Sequence, residues 1–535
     1  MHTFRGEKVV GGIAIGKIAV VSCGGGGTDY HKESPKQERE KFQSAREKTL
    51  EQIERLRLKA LEEIGEEEAY VFEAHTMMLQ DLDLEEMIVE KIQQDLGAKE
   101  AISQARDYFS SLFLAMEDSY MQARSADVCD ICNQMIDVLD GVEHQEITEP
   151  SLIVAMDLTP SQTLKMNRNC FLALITQEGS SCSHTAIMAR TMGIPAINQI
   201  QIESEWDGEM AILDANEAQL IIAPSQEVLQ KYQKLQEQER EKQSALLKLK
   251  QTKTCTKDGK EIKLYANIGG LEDAKTALDN GAEGIGLFRS EFLYLSRTNL
   301  PTEQEQFEIY KEVLEMMENR RVIVRTLDIG ADKRIDYLNL DREENPALGY
   351  RAIRICLNEI EIFKTQLRAL YRASVYGKLA IMFPMIIAVW EIRRIKAMIG
   401  EVQQELRDAG VAFDDQVEIG VMIETPASVM IAQELAAEVD FFSIGSNDLA
   451  QYTFALDRQN PKIENYHQSF DIALKRMFAQ VIENAHKQGI WVGICGEMAS
   501  DVDVLEELLR LGFDELSVSP KMILPMRQKI LDFED

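Results

Sequence analysis

The sequence predicts a multidomain α/β protein: a small α/β domain interrupted by a helical bundle, followed by a C-terminal (β/α)8 TIM barrel. Three observations predict it. A chain of 535 residues is too long for one hydrophobic core. From about residue 34 to 140, charged residues interleave with Leu, Ile, Phe and Met at helical spacing, with almost no proline. Beyond residue 256, short apolar runs alternate with helical patterns about eight times, as a closed β/α barrel requires.

Taken in order, residues 8–22 read as β-structure broken by glycines and end in the loop 23–27. Short apolar runs return at Leu152–Ala155, Phe171–Ile175, Ala211–Leu213 and Gln219–Ile222. The first segment is expected to join them in one domain (1–30 and 143–224), with the helical bundle 31–142 as an insertion. Residues 225–251 form a long polar helix of roughly 40 Å, a spacer within a linker 225–255. Within 256–535 the expected strands are Ile262–Asn267, Gly284–Phe288, Val322–Thr326, Leu379–Phe383, Glu418–Ile423, Phe441–Ile444, Trp491–Cys495 and Glu515–Val518.

Composition excludes several classes. With 58 basic against 90 acidic residues the formal charge is −32, which repels nucleic acid and anionic membranes and favours basic partners. No apolar run approaches the roughly 18 residues that span a bilayer, and the N-terminus lacks a signal-peptide core, so the expected location is the cytoplasm. The eight cysteines are scattered, and the pair Cys129–Cys132 has no second pair to complete a zinc site. Gly11 to Lys17 matches Gly-x-x-x-x-Gly-Lys, but Ile18 stands where a P-loop needs Ser or Thr.

Polar residues cluster where the barrel strands end: Asn267, Arg289 and Glu291, Arg325 and Asp328, Glu424, Asn447 and Asp448, Cys495 and Glu497. In a barrel these ends converge on one mouth. Glu424 and Asp448 suit Mg²⁺, which takes one or two carboxylates plus substrate oxygens. Arg289, Arg325 and Arg351 are planar, permanent cations that match phosphate or carboxylate. Together they are equipment for a small, multiply anionic phosphoryl compound. For any one residue a structural ion pair is the competing reading; for the set it is poor. Cys495 follows a strand and precedes a glycine, so it is either a buried thiol or a proton donor facing the mouth. His184 opens a helix behind Ser183, a fitting N-cap, where backbone N–H groups favour an attached phosphate; a capping or core histidine is the alternative.

These stretches carry a resemblance. Ser183-His-Thr-Ala-Ile-Met-Ala-Arg190, Gly281 to Glu291, Val324 to Gly330, Glu343 to Arg351, Ile381 to Met385, Gly420 to Pro426, Asp440 to Leu449 and Cys495-Gly-Glu497 occur in one order. From end to end the chain resembles the Enzyme I family of the bacterial sugar phosphotransferase system, the phosphoenolpyruvate–protein phosphotransferases. The resemblance implies a swivelling phosphohistidine domain, an inserted helical domain docking the carrier HPr, and a phosphoenolpyruvate-binding barrel that forms a homodimer. It makes His184 the phosphorylated nucleophile and Cys495 the proton donor that yields pyruvate. Arg289, Arg325, Arg351, Asn447, Asp448 and Arg458 would bind phosphoenolpyruvate, Glu424 and Asp448 would bind Mg²⁺, and Thr163 would orient the histidine. Glu67, Glu68, Phe72, His75 and Leu79 lie along one helix in the docking region; an ordinary helix face is the alternative. The family's Gly-Gly-x-Thr-Ser-His is replaced here by Gly179-Ser-Ser-Cys-Ser-His184, and its Val-Gly after Ile197 by Asn198-Gln199. The rival enzymes, dikinases and phosphoenolpyruvate synthases, need an ATP-binding domain, for which the segment before His184 is too short and too helical. The nitrogen-branch form would carry an N-terminal sensory domain. A catalytically silent, carrier-binding regulator is the reading from another class, and the altered loop is its one support.

Overall fold

A computed structural model describes the chain except residues 22–31, 64–65, 117–118, 142–146, 160, 163–165, 167–169, 179–183, 296, 298, 331–334, 339, 342, 458–459, 461–462, 464–469 and 535. A few further side chains, including those of Glu67, Glu68 and His184, also lie outside the description. The chain forms two compact units, Met1–Arg240 and Glu241–Asp535.

The first unit is built on an eight-stranded mixed sheet. Its strands are β1 (His2–Arg5), β2 (Glu7–Val10), β3 (Ile13–Val21), β4 (Ser151–Ala155), β5 (Phe171–Thr176), β6 (Ala196–Asn198), β7 (Met210–Asp214) and β8 (Gln219–Ile222), in the spatial order β1-β8-β7-β3-β4-β5-β6-β2. β3, β4, β5 and β6 run parallel, and the outer pairs are antiparallel. β3 and β4 are spatial neighbours, although the helical residues fall between them in sequence. β4 and β5 are buried along almost their whole length, as expected of strands covered on both faces. Helix His184–Met192 packs through Met188 and Ala189 against Ile153, Phe171 and Leu174 on one face, while Trp206 covers Leu152 and Val154 on the other.

The helical insertion contains Pro35–Glu63, Glu66–Leu79, Leu82–Gln93, Ala98–Leu114 and Ser119–Asp140. Their apolar stripes meet in one core around Phe42, Ile53, Phe72, Ile88, Ile102 and Ile131. Gly97 offers helix Ala98–Leu114 no side-chain cap, so the buried Glu38 carboxylate accepts the Ala98 N–H instead, at 2.7 Å.

Helix Gln226–Leu247 is less polar in its role than in its composition. Val228, Leu229, Tyr232 and Leu235 form a stripe that packs on Ile13, Ile15, Ile212 and Ile221, so its first half belongs to the sheet's core rather than acting as a bare spacer.

In the second unit, β9 (Lys263–Ile268), β10 (Ile285–Arg289), β11 (Arg321–Arg325), β12 (Lys378–Phe383), β13 (Glu418–Ile423), β14 (Phe441–Ile444), β15 (Trp491–Ile494) and β16 (Glu515–Val518) close into a parallel barrel. Each lies within about a residue of its expected position. The interior is filled by Tyr265, Leu287, Ile323, Ala380, Met382, Met422 and Phe441, floored by Trp491 stacked on Phe441 at 4.6 Å. Buried Arg527 stitches the outside of the barrel: it donates to Thr254 Oγ1 (2.9 Å), Leu249 O (3.2 Å), Lys250 O (3.3 Å) and Gly281 O (2.6 Å). Among the described residues no helix is long and apolar enough to cross a membrane.

Candidate active site at the barrel mouth

Arg289 and Arg325 end adjacent strands as register partners. Two like charges side by side disfavour each other unless anions lie between or beside them. Carboxylates supply part of that. Arg325 Nη2 donates to Glu291 Oε1 at 2.5 Å and Nη1 pairs with Asp328 Oδ2 at 2.7 Å. Arg351 Nη2 donates to Asp328 Oδ1 at 2.9 Å, and its Nη1 donates to the Tyr452 hydroxyl at 3.1 Å and lies 3.7 Å from Asp448 Oδ1. Burial alone would lower the pKa of both guanidiniums, but Asp328 outweighs it at both, with Glu291 at Arg325 and Asp448 at Arg351, and both stay firmly charged. The Nε atoms of Arg325 and Arg351 are buried without a hydrogen-bond partner among the described residues.

A second layer fixes the arginines. Ser290 Oγ donates to Arg325 O (2.6 Å), and Gln366 donates to Ser290 Oγ (3.0 Å) while accepting the Leu327 N–H (2.9 Å). Gly330 has φ +113°, and a Cβ there would fall 2.5 Å from the Arg351 Cβ, so only glycine lets the two segments meet.

Glu424 follows β13 and is buried; one oxygen accepts the Met385 N–H at 2.6 Å. Burial, then the neighbouring Asp448 and Asp328 carboxylates, raise its pKa well above the usual carboxylate range. Asp448 and Asn447 sit in the first turn of helix Ser446–Phe454, directly after β14, and Asn447 Oδ1 accepts the Glu497 N–H at 3.1 Å. Cys495 follows β15 and is buried; its thiol lies 3.7 Å from Ile444 O. Burial pushes that thiol up to about 12, so it is protonated at neutral pH. Asn267 holds the rim together, donating to Cys495 O (3.2 Å) and Ser517 O (3.1 Å).

In the first unit, His184 is the first residue of its helix. The next residue, Thr185, is buried, and its hydroxyl donates to Asp157 Oδ1 at 2.8 Å and receives the Leu158 N–H at 3.3 Å. The same 157–162 segment reaches the helical insertion through Ser161, which donates to Asp130 Oδ1 at 2.7 Å.

Residues 243–534 match the family of PEP-utilising enzymes, PEP-binding domain; residues 5–124 match its N-terminal family and residues 147–218 its mobile domain. Over 496 residues, 92% of this chain, it is 45% identical to the phosphoenolpyruvate-protein phosphotransferase of Bacillus subtilis, covering 87% of that protein. The chain belongs to the phosphoenolpyruvate–protein phosphotransferase family. The phosphotransferases of Bacillus sp. strain S and Geobacillus stearothermophilus are likewise 45% identical over 92% of this chain and 86% of theirs.

In this phosphotransferase the barrel mouth brings together Arg289, Arg325, Arg351, Glu424, Asn447, Asp448 and Cys495, whereas Arg458, Thr163 and the 179–183 loop lie outside the described residues. The expected carrier-docking face needs correction. Phe72, His75 and Leu79 are 1%, 0% and 1% exposed, because they form the inner face of helix Glu66–Leu79. His75 Nε2 lies 3.1 Å from Asp127 Oδ1, and its Nδ1 3.9 Å from Asp130 Oδ2, inside the bundle. Burial would raise the Asp127 carboxyl, but His75 and Arg124 outweigh it and hold it below its usual range. Sequence reasoning missed Gln366 and Tyr452, which support the arginines at the barrel mouth, and the pairing of Thr185 with Asp157 in the first unit; Gln366, Tyr452 and Asp157 carry no motif of their own. It named Asp328 without seeing that it joins two arginines.

Proposed function

We propose that the chain transfers the phosphoryl group of phosphoenolpyruvate to its own His184 and then to the phosphocarrier protein HPr, releasing pyruvate as the first step of sugar uptake. The observation that carries this reading is the barrel mouth, where paired arginines, buried carboxylates and a protonated thiol converge. Phosphoenolpyruvate presents a carboxylate and a phosphate on one small carbon frame. Arg289, Arg325 and Arg351 meet those groups, the buried Nε–H groups of the last two being donors left over by the carboxylate network. Asn447 and Arg458 complete the binding set.

Glu424 and Asp448 fit Mg²⁺. Both offer hard oxygen donors; the Glu424 Oε2 atom lies only 2.8 Å from where a Cβ on Gly445 would stand, a cradle that a larger residue would fill. Mg²⁺ takes one or two carboxylates together with water and substrate oxygens, and this pair of carboxylates meets that requirement. When bound, Mg²⁺ supplies charge neutralisation and Lewis acidity toward the phosphoryl oxygens.

The arginines hold the phosphoryl group in line for neutral His184, oriented by Thr163. The bridging P–O bond breaks as the N–P bond to His184 forms. Cys495 gives its S–H proton to C3 of the enolate, and a C–H bond forms. Pyruvate then lacks the nucleophile that would reverse the step. In this reading residues 1–30 and 143–224 form the phosphohistidine domain, 31–142 dock the carrier with Glu67 and Glu68, 225–255 link, and 256–535 bind phosphoenolpyruvate and pair two copies. The enzyme works in the cytoplasm.

The test is incubation with Mg²⁺ and phosphoenolpyruvate labelled in its phosphoryl group, beside a His184→Ala control. Acid-labile, base-stable label that the control lacks supports the reading. Label taken from ATP, or from neither donor, overturns it.

A further inference from the structure

Below Cys495, inside the barrel, lies a carboxyl group that binds nothing described above. Glu515 on β16 is fully buried, and neither of its oxygens has a hydrogen-bond partner among the described residues. Two glycines make its space. A Cβ on Gly493 would stand 1.9 Å from Glu515 Oε2, and one on Gly286 would stand 2.6 Å from Glu515 Oε1 and 1.9 Å from Ser517 Oγ. Ser443, Gly493 and Glu515 are register partners across β14, β15 and β16, so the Glu515 carboxyl reaches over Gly493 toward Ser443. Cys495, two residues beyond Gly493, points to the same side of the sheet and lies in the same interior cluster. The Ser443 hydroxyl faces the Cys495 thiol, and the Ser517 hydroxyl the Glu515 carboxyl, closely enough to favour the ionised form of each; among the described residues neither hydroxyl has a hydrogen-bond partner in good geometry.

Orphaned polar groups are rare in protein interiors and call for an explanation. Here they stand in one column under a thiol that must lose and regain a proton at every turnover. We propose that Glu515 is the proton store that reloads Cys495, with the Ser443 hydroxyl as the bridge. The proposal rests on the reading of Cys495 as proton donor. Donation to the enolate breaks the S–H bond, forms the C3–H bond and leaves a thiolate. Ser443 then gives its proton to the thiolate and takes the Glu515 proton in the same shift. Glu515, now a carboxylate, regains a proton from solvent water through the same hydroxyl after pyruvate leaves.

The surroundings suit the task. Burial pushes the Glu515 carboxyl up to about 8, against the Ser517 hydroxyl and the Arg321 guanidinium, which favour the ionised form; Asp514 favours the neutral one. Tyr265 and Cys495 are the other titratable groups facing it, and burial holds both neutral, at about 12. Arg321 is itself paired with Glu418 at 2.6 Å, so it steadies a transient Glu515 carboxylate without locking it.

The test uses the full chain with Mg²⁺ and pyruvate in D2O, following exchange of the pyruvate methyl hydrogens by NMR. Exchange is the donation run backwards, and it needs the Cys495 proton to be parked on Glu515. Wild-type exchange is expected to climb as pH rises through about 8. Glu515→Gln keeps the size and neutrality of the buried group, and its exchange should be about 10²-fold slower with no step near pH 8. Ser443→Ala should slow exchange similarly, with thermal melts showing both variants folded. Wild-type rates in Glu515→Gln, or a slow variant that keeps the step, overturn the store while leaving Cys495 in its role. Exchange that survives Cys495→Ala overturns the donor reading, and the store with it.

Discussion

Arg325 and Arg351 share one carboxylate: Asp328 pairs with the first at 2.7 Å and the second at 2.9 Å. Two guanidiniums from separate segments are thereby set at a fixed spacing. Asp328→Asn keeps the shape but removes the charge that opposes their mutual repulsion. A displacement of an ångström at a positioned group is costly, so kcat/KM for phosphoenolpyruvate should fall by about 10²-fold. Steady-state pyruvate release measures it. An unchanged value would mean the arginines are held by other contacts.

Glu424→Gln should raise the Mg²⁺ concentration needed for half-maximal labelling from phosphoenolpyruvate by about 10-fold or more, since a neutral amide is a poorer ligand than a carboxylate. Chelation with EDTA should abolish labelling of the wild-type chain, and added Mg²⁺ should restore it. A Mg²⁺ titration of both proteins is the measurement.

His75 lies in a packed core between Asp127 and Asp130, so its replacement should act on stability. His75→Ala leaves a cavity and takes one partner each from Asp127, which keeps Arg124, and from Asp130, which keeps Ser161, at a cost of about 3 kcal/mol. Thermal melting of the purified chain should show the loss. His75→Gln, which retains a donor, should recover part of it. If His75→Ala melts like the wild type, the side chain does not bind the bundle together.

Arg527→Met should lower the melting temperature while leaving phosphoenolpyruvate binding intact. Methionine fills similar volume but offers no N–H to Leu249 O, Lys250 O or Gly281 O. Leaving these part-buried carbonyls and the buried Thr254 hydroxyl without their donor costs roughly 1–3 kcal/mol in all. Calorimetry with and without phosphoenolpyruvate separates stability from binding.

The barrel was legible because its strands are short apolar runs, six of the eight ending at or just before a polar residue that a purely structural strand has no reason to carry. Register and facing were less legible. Glu515-Leu-Ser517-Val alternates polar and apolar residues, which usually means one face in water; here the polar face looks into the barrel. Phe72, His75 and Leu79 are spaced three and four residues apart, the signature of a buried helix stripe, and that spacing outweighs the charges of Glu67 and Glu68 beside them. The stripe Val228, Leu229, Tyr232 and Leu235 was equally visible within a helix whose many Gln and Glu residues suggested a spacer. Thr185 and Asp157 could not be paired in advance, since nothing local brings residues so distant in sequence together.

The sheet of the first unit has a consequence for how the molecule is made. β1 pairs with β8, so residues His2 to Arg5 find their partners only when Gln219 to Ile222 exist. On a ribosome the opening strand therefore waits through the synthesis of the whole helical insertion, whose local contacts let it fold meanwhile. The bundle is then ready before the sheet that carries it can close. A strand made before the insertion is thus paired only after it.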